Sequence, residues 1–333
     1  MNSLSRGFRN DGSDGSDGSD GSDGSDGSDG SDGSAGVSGV PAYAGHRTSP
    51  LLAQALWTTQ GEITRNVGST PDKDNGPLAA GDSRFERWSH DVRGRQYEFE
   101  LLSGLEFDQA TKTLKALDGR TISVTDPTTT FEKDNDSVEA AINYVIGKAA
   151  LRQDRMAEIL TQVTVPYSFF AMVLNLQPGR HRYAYELMSA VFRMSTIVVM
   201  QFKHYYGVRR PADRSAMVQP VLLTPGHGSF PAGHSTQCHF VADVLTGILD
   251  VTDNGHKVET VNELGALADR IGENRVVAGL HYPRDIAAGK DLGQRLAKHL
   301  IYKAKSKTSG ANPAPVYPAL FWLWDKATKE QWK

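Results

Sequence analysis

The sequence predicts a mainly α fold: a helical bundle carrying the functional half, preceded by a small β-containing region. Three observations support this reading. From about residue 136 the apolar positions recur at helical spacing. The stretch "YEFELLSGLEFDQATKTLKALDGRTISV", around 97–125, instead alternates and carries turn signals such as Asp118-Gly119. Upstream of both, 333 residues begin with a segment that has almost nothing to bury.

That segment includes eight copies of Asp-Gly-Ser at 11–34. It reads as a solvated tail, residues 1–45, because it offers no apolar area against the entropy of ordering. Regular aspartates raise calcium binding as a second reading, but the apolar position and longer period of β-roll repeats are missing. The tail hides the charge balance of the rest. The whole chain is −3, yet residues 35–333 hold 34 basic and 31 acidic side chains. A nearly neutral body gives no nucleic-acid surface.

Residues 46–135 read as a covering region, irregular to about 95 and then a short β-hairpin or meander. Ser89, His90 and Asp91 hold the residue types of a catalytic triad, but consecutive residues cannot adopt its geometry, and a surface turn is expected. Residues 136–333 read as the α-helical catalytic domain with a C-terminal extension. "SVEAAINYVIGKAALRQDRMAEILTQV" predicts one long helix with Ser137 as N-cap. "RHRYAYELMSAVFRMSTIVVMQFKHYY" is apolar on most faces and predicts a central helix. Further helices are expected over about 235–249, over 260–279 and from Pro283, a residue suited to the first helical position. The proline-broken aromatic stretch from 312 onward should pack back on the body.

The longest apolar runs, "YSFFAMVLNL" and "STIVVMQF", are too short to span a bilayer, and no secretory signal is recognisable. No membrane partner and a cytoplasmic location are the default expectations. The one cysteine, Cys238, leaves no disulfide framework or cysteine-based zinc site and reads as a packing residue.

Three short patterns carry chemistry. Lys203 and Arg210 lie seven apart before Pro211, and a helix continuing to that proline would put both cations on one side. Pro231-Ala232-Gly233-His234 precedes a helix whose free N–H groups suit an anion. Arg275 is followed by His281, and Asp285, four further on, can reach back to the imidazole and fix its tautomer. Alone, each is better explained as a basic helix end, a Gly-His turn or a cap. Together they describe a site for a tetrahedral oxyanion.

This ordered set resembles the signature shared by the vanadium-dependent haloperoxidases and the acid phosphatase/type 2 phosphatidic acid phosphatase superfamily. The resemblance implies that Lys203, Arg210 and Arg275, with the Gly233 N–H, hold the equatorial oxygens. It makes His281 the axial vanadium ligand or the phosphorylated nucleophile, His234 the acid–base and Asp285 the group that orients His281. Two departures stand out. Ala232 replaces the usual serine, which removes one donor unless Ser229, Ser235 or water supplies it, and Asn274 replaces the serine before Arg275.

His227, seven before His234, resembles the second histidine of bromoperoxidases. The expectation is therefore a vanadate-dependent haloperoxidase oxidising bromide or iodide. Its partners would be hydrogen peroxide, halide and a small organic acceptor, and homo-oligomers are expected from its relatives. The alternatives are an acid phosphatase without a cofactor, acting through a phosphohistidine, and a non-catalytic oxyanion-binding relative.

Overall fold

The computed structural model describes residues 54–55, 58–59, 83–116, 120–124, 135–252 and 257–332. The Asp-Gly-Ser tract and the Asp118-Gly119 turn lie outside them, and with them the tail and calcium readings. The fold is mainly helical with one small sheet, as the periodicity indicates.

A short helix α1 (Ser83–Glu86) leads to α2 (His90–Leu102). The latter corrects the sequence reading at two points. Residues 97–102 alternate in character but close the helix, because Tyr97 and Leu101 lie one helical turn apart and are both buried. Ser89 is the N-cap of α2 rather than part of a turn, its Oγ accepting from Val92 N–H at 3.4 Å. The Arg93 guanidinium is bound at both ends by Glu186 (2.7 Å each), and Tyr97 donates to the same carboxylate at 2.8 Å. That buried fork ties α2 to the central helix. Strands β1 (Leu105–Asp108), β2 (Thr113–Ala116) and β3 (Thr121–Ser123) form an antiparallel meander, with Leu105 opposite Ala116 and Leu114 opposite Ile122. Leu114 and Ile122 face the helices and share their core.

The long helix expected from 137 to 163 is divided. Helix α3 (Asn135–Lys148) passes through one 3₁₀ turn (Ala149–Leu151) into α4 (Arg152–Thr161). Ser137 lies inside α3, two residues past its first, so it is not the N-cap. Helix α5 (Tyr167–Leu174) follows, and α6 (Arg182–Tyr206) runs through the middle. Leu187, Val191, Met194, Val198 and Phe202 recur at three- and four-residue spacing along α6 and are all buried. Three helices carry residues of the second and third motifs: α7 (Gly233–Thr252), α8 (Lys257–Val277) and α9 (Pro283–Lys305). The aromatic C-terminal stretch folds as α10 (Pro318–Thr328), burying Leu320, Trp322, Leu323 and Trp324 in the main core. The Glu100 carboxylate accepts from the Ala319 and Leu320 N–H groups at its start, at 3.0 and 2.8 Å.

Helices α7 and α9 cross closely because α9 has glycines where they meet. A Cβ on Gly289 would stand 2.6 Å from the Ala232 carbonyl, and one on Gly293 would stand 2.4 Å from the Thr236 carbonyl. The crossing therefore brings the start of α9, with His281 and Asp285, against the start of α7, with Gly233 and His234. Among the described residues no helix is long and apolar enough to cross a membrane.

Candidate active site

The two cations of the first motif do not share a helix face as expected. Gly207, at φ +55°, ends α6 and turns the chain, so Arg210 sits beyond the helix on the segment that follows. Both side chains nevertheless converge. Lys203 Nζ donates to the carbonyls of Gly228 and Ser229 at 2.7 and 3.1 Å. Arg210 donates through Nε to the His227 carbonyl (3.1 Å) and through Nη1 to the Leu280 carbonyl (2.9 Å). Asp213 fixes the Arg210 backbone by accepting its N–H at 3.0 Å. One loop, 227–229, thus holds both cations.

His281 follows α8 and lies just before Pro283, the first residue of α9. Its Nδ1 is 3.2 Å from Asp285 Oδ2, and its Nε2 is 3.4 Å from Arg210 Nη1. A carboxylate accepts and a guanidinium donates, so both neighbours select the same tautomer: Nδ1 carries the proton and Nε2 the lone pair. Asp285 is fully buried, and its Oδ2 also accepts from Ser229 Oγ (2.5 Å) and the Tyr282 N–H (3.0 Å). Burial alone would raise the Asp285 pKa, but the His281 bond and charge, Ser229 and Tyr282 together hold it below the ordinary carboxylate value.

His234 Nε2 lies 2.9 Å from the Gln162 carbonyl and 3.3 Å from that of Val163. Carbonyls accept only, so here Nε2 carries the proton and Nδ1 the lone pair. The two imidazoles are therefore held in opposite tautomers. Arg275, 1% exposed, donates to the Ile159 carbonyl at 3.0 Å and approaches Gln162 Oε1 at 3.4 Å. Its buried Nε has no hydrogen-bond partner. An unpaired guanidinium N–H in the interior is a donor held ready for an acceptor.

Electrostatics links these groups into one site. Burial lowers the Lys203 pKa to about 7, with the Arg210 charge adding to the effect and Asp285 opposing it. Burial likewise brings Arg210 and Arg275 to about 10. His281 falls to about 3, mainly through burial, with Lys203 and Arg210 contributing. His234 falls to about 4 through burial and then Arg275 and Lys203. Burial leads in every case, and neighbouring positive charges add to it at Lys203, His234 and His281. An anion placed among them would reverse these shifts.

All the candidates are accounted for. Lys203, Arg210, Gly233, His234, Arg275, His281 and Asp285 come together. His227 lies on the exposed rim, with Nδ1 3.2 Å from Arg210 Nη2. The hydroxyls offered in place of the missing serine are committed elsewhere: Ser229 donates to Asp285, and Ser235 donates to the Ile286 carbonyl at 2.8 Å. At Ala232 the protein itself therefore supplies no substitute donor from these two. Asn274 lies inside the fold and gives its amide N–H groups to Glu158 and Gln162 at 2.9 and 3.0 Å. Gln162 escaped the sequence reading altogether. It stands at the end of α4, outside every motif, and nothing in its immediate sequence points to the site. Cys238 is fully buried and its thiol is pushed up to about 12, as suits a packing residue.

Tetrahedral phosphate and vanadate both fit this donor set: three cations, one orphaned guanidinium N–H, the free N–H groups that begin α7 and one imidazole lone pair. Among the described residues no cluster of His, Cys, Asp and Glu is arranged to hold a metal cation.

No family model matches the chain, and no curated protein matches it. Among solved structures it is similar to the first transmembrane PAP2 type phosphatidylglycerolphosphate phosphatase from Bacillus subtilis. The identity is 22% over 50% of this chain and 86% of that one, with a TM-score of 0.38. At that score the likeness transfers no activity, and the site stands on its own geometry.

Proposed function

We propose that the protein is a phosphoric monoester hydrolase of the acid phosphatase/type 2 phosphatidic acid phosphatase kind, acting through a phosphohistidine. One observation carries this reading. Asp285 fixes the His281 proton on Nδ1 and leaves the Nε2 lone pair facing the Arg210 guanidinium, where a phosphoryl group would sit.

The three cations bind the phosphoryl oxygens and withdraw charge from phosphorus. His281 Nε2 attacks, forming the N–P bond as the P–O bond to the alcohol breaks. The bound dianion raises the His234 pKa, so the imidazolium gives its Nδ1 proton to the departing oxygen while Nε2 stays on the Gln162 carbonyl. His234, neutral again, then takes a proton from water as that water attacks phosphorus. The P–N bond breaks, phosphate leaves and His281 returns to its starting tautomer.

A second reading keeps the vanadate-dependent haloperoxidase, and His227 beside Arg210 is the observation in its favour. Bound vanadate would supply Lewis-acid activation of peroxide toward bromide or iodide. In that case His281 would hold the vanadium, the same cations its oxygens, and His234 the proton.

The deciding experiment runs p-nitrophenyl phosphate hydrolysis without vanadate beside bromination of a diketone dye with vanadate, peroxide and bromide. The proposal expects phosphate release that vanadate inhibits and His281→Ala abolishes. Bromination without hydrolysis would replace it with the second reading. Neither activity, with vanadate still bound, would leave a binding protein.

A further inference from the structure

We infer that Gln162 is a positioning residue for both His234 and Arg275, holding the acid–base imidazole in its Nε2–H tautomer and the guanidinium in reach of the anion. The role assigned to His234 rests on the proposed hydrolase reading; the geometry does not.

Gln162 is the C-cap of α4 and is 1% exposed. The last carbonyls of a helix lack intrahelical donors and carry its partial negative charge. Here they are used by the site: Ile159 O accepts from Arg275, and Gln162 O accepts from His234. The Gln162 side chain then fastens this helix end to α8. Its Oε1 accepts from Asn274 Nδ2 at 3.0 Å and faces Arg275 Nη2 at 3.4 Å. Asn274 also donates to Glu158, which grips Arg270 at 2.9 and 2.7 Å. The chain Arg270–Glu158–Asn274–Gln162–Arg275 spans α4 and α8, and only Asn274 and Arg275 belong to the third motif. A backbone carbonyl can orient an imidazole only if the segment carrying it is immobile. Among these contacts Gln162 is the one residue whose main chain serves the acid–base and whose side chain serves the cation.

The test compares Gln162→Met, similar in length without an acceptor, with Gln162→Glu, which keeps one. Three quantities are read: the His234 ring-nitrogen shifts by ¹⁵N NMR, assigned with His234→Ala; orthovanadate affinity by calorimetry; and kcat and KM for p-nitrophenyl phosphate. In the unaltered protein the His234 shifts should report Nε2 protonated. In the Met variant they should move toward a tautomer mixture, vanadate binding should weaken roughly tenfold, and kcat should fall by a similar factor. The Glu variant should restore the tautomer. Should the Met variant not fold, Gln162→Asn, with the amide drawn back, is expected to act the same way. Unchanged His234 shifts in a folded Met or Asn variant would overturn the inference, even if stability fell. If the unaltered protein hydrolyses no phosphoester, the hydrolase reading fails while the ring shifts and vanadate affinity still decide the role of Gln162.

Discussion

His281 is gripped at opposite edges by opposite charges: Asp285 Oδ2 lies 3.2 Å from its Nδ1 and an Arg210 nitrogen 3.4 Å from its Nε2. The ring cannot flip without facing a carboxylate with a lone pair and a guanidinium with a proton. Its nucleophilic nitrogen is thus set before any substrate arrives.

Asp285→Asn should remove this control. An amide can present an N–H to Nδ1 and select the wrong tautomer, so kcat should fall roughly 10²–10⁴-fold with little change in fold. Ser229→Ala removes one of three donors to the same carboxylate and should cost about 1 kcal/mol, a severalfold loss. Steady-state kinetics with circular dichroism as a folding control checks both.

Acid should destabilise the protein through the two site histidines, His234 and His281. In the fold His281 titrates near 3 and His234 near 4, against about 6.5 in an unfolded chain. Between those limits the unfolded state binds more protons, so stability rises with pH across the window and falls as pH drops through it. Each histidine contributes a slope of up to ~1.4 kcal/mol per pH unit. Asp285, with its lowered pKa, acts in the same sense. Urea unfolding between pH 4 and 7 should show the decline, and His234→Gln should make it shallower.

Anion binding should take up protons. Lys203 titrates near 7 because it is buried, with the Arg210 charge adding to the effect. At pH 8 it is mostly neutral, and a bound anion raises its pKa toward the ordinary value. Sulfate, which does not itself titrate in this range, should bind with an uptake approaching one proton. Calorimetry in buffers of differing ionisation enthalpy measures that number. Lys203→Met should weaken binding by roughly tenfold or more and remove most of the uptake.

The α7–α9 crossing should tolerate no side chain at its glycines. Gly293→Ala places a methyl group 2.4 Å from the Thr236 carbonyl, a backbone atom that cannot swing aside. The expected cost is about 2–3 kcal/mol, with a clear fall in Tm, since the helices must part. Because that crossing also sets His281 against the start of α7, sulfate affinity should fall with it.

How much of this was legible in the sequence depended on what each residue contacts. Helix α6 was, because its burial pattern is written along one segment. The motif residues were also legible, because their chemistry is unusual enough to read in order along the chain. The turn at Gly207 was missed because a single left-handed residue does not interrupt the basic pattern around it. The helical state of 97–102 was missed because alternation over six residues fits either period. Gln162 and Glu158, the two partners of Asn274, could not be read at all. Their roles arise where α4 meets α8, more than 100 residues apart in sequence, and a glutamine at a helix end is ordinary anywhere else.

The most direct test is a crystal structure of the protein soaked with orthovanadate. The site predicts vanadium bonded to His281 Nε2, its oxygens met by Lys203, Arg210 and Arg275, with His234 Nδ1 on the far side, and no such density in His281→Ala. Vanadium absent from that position, or bound at another place while these five side chains stay as they are, would contradict the account.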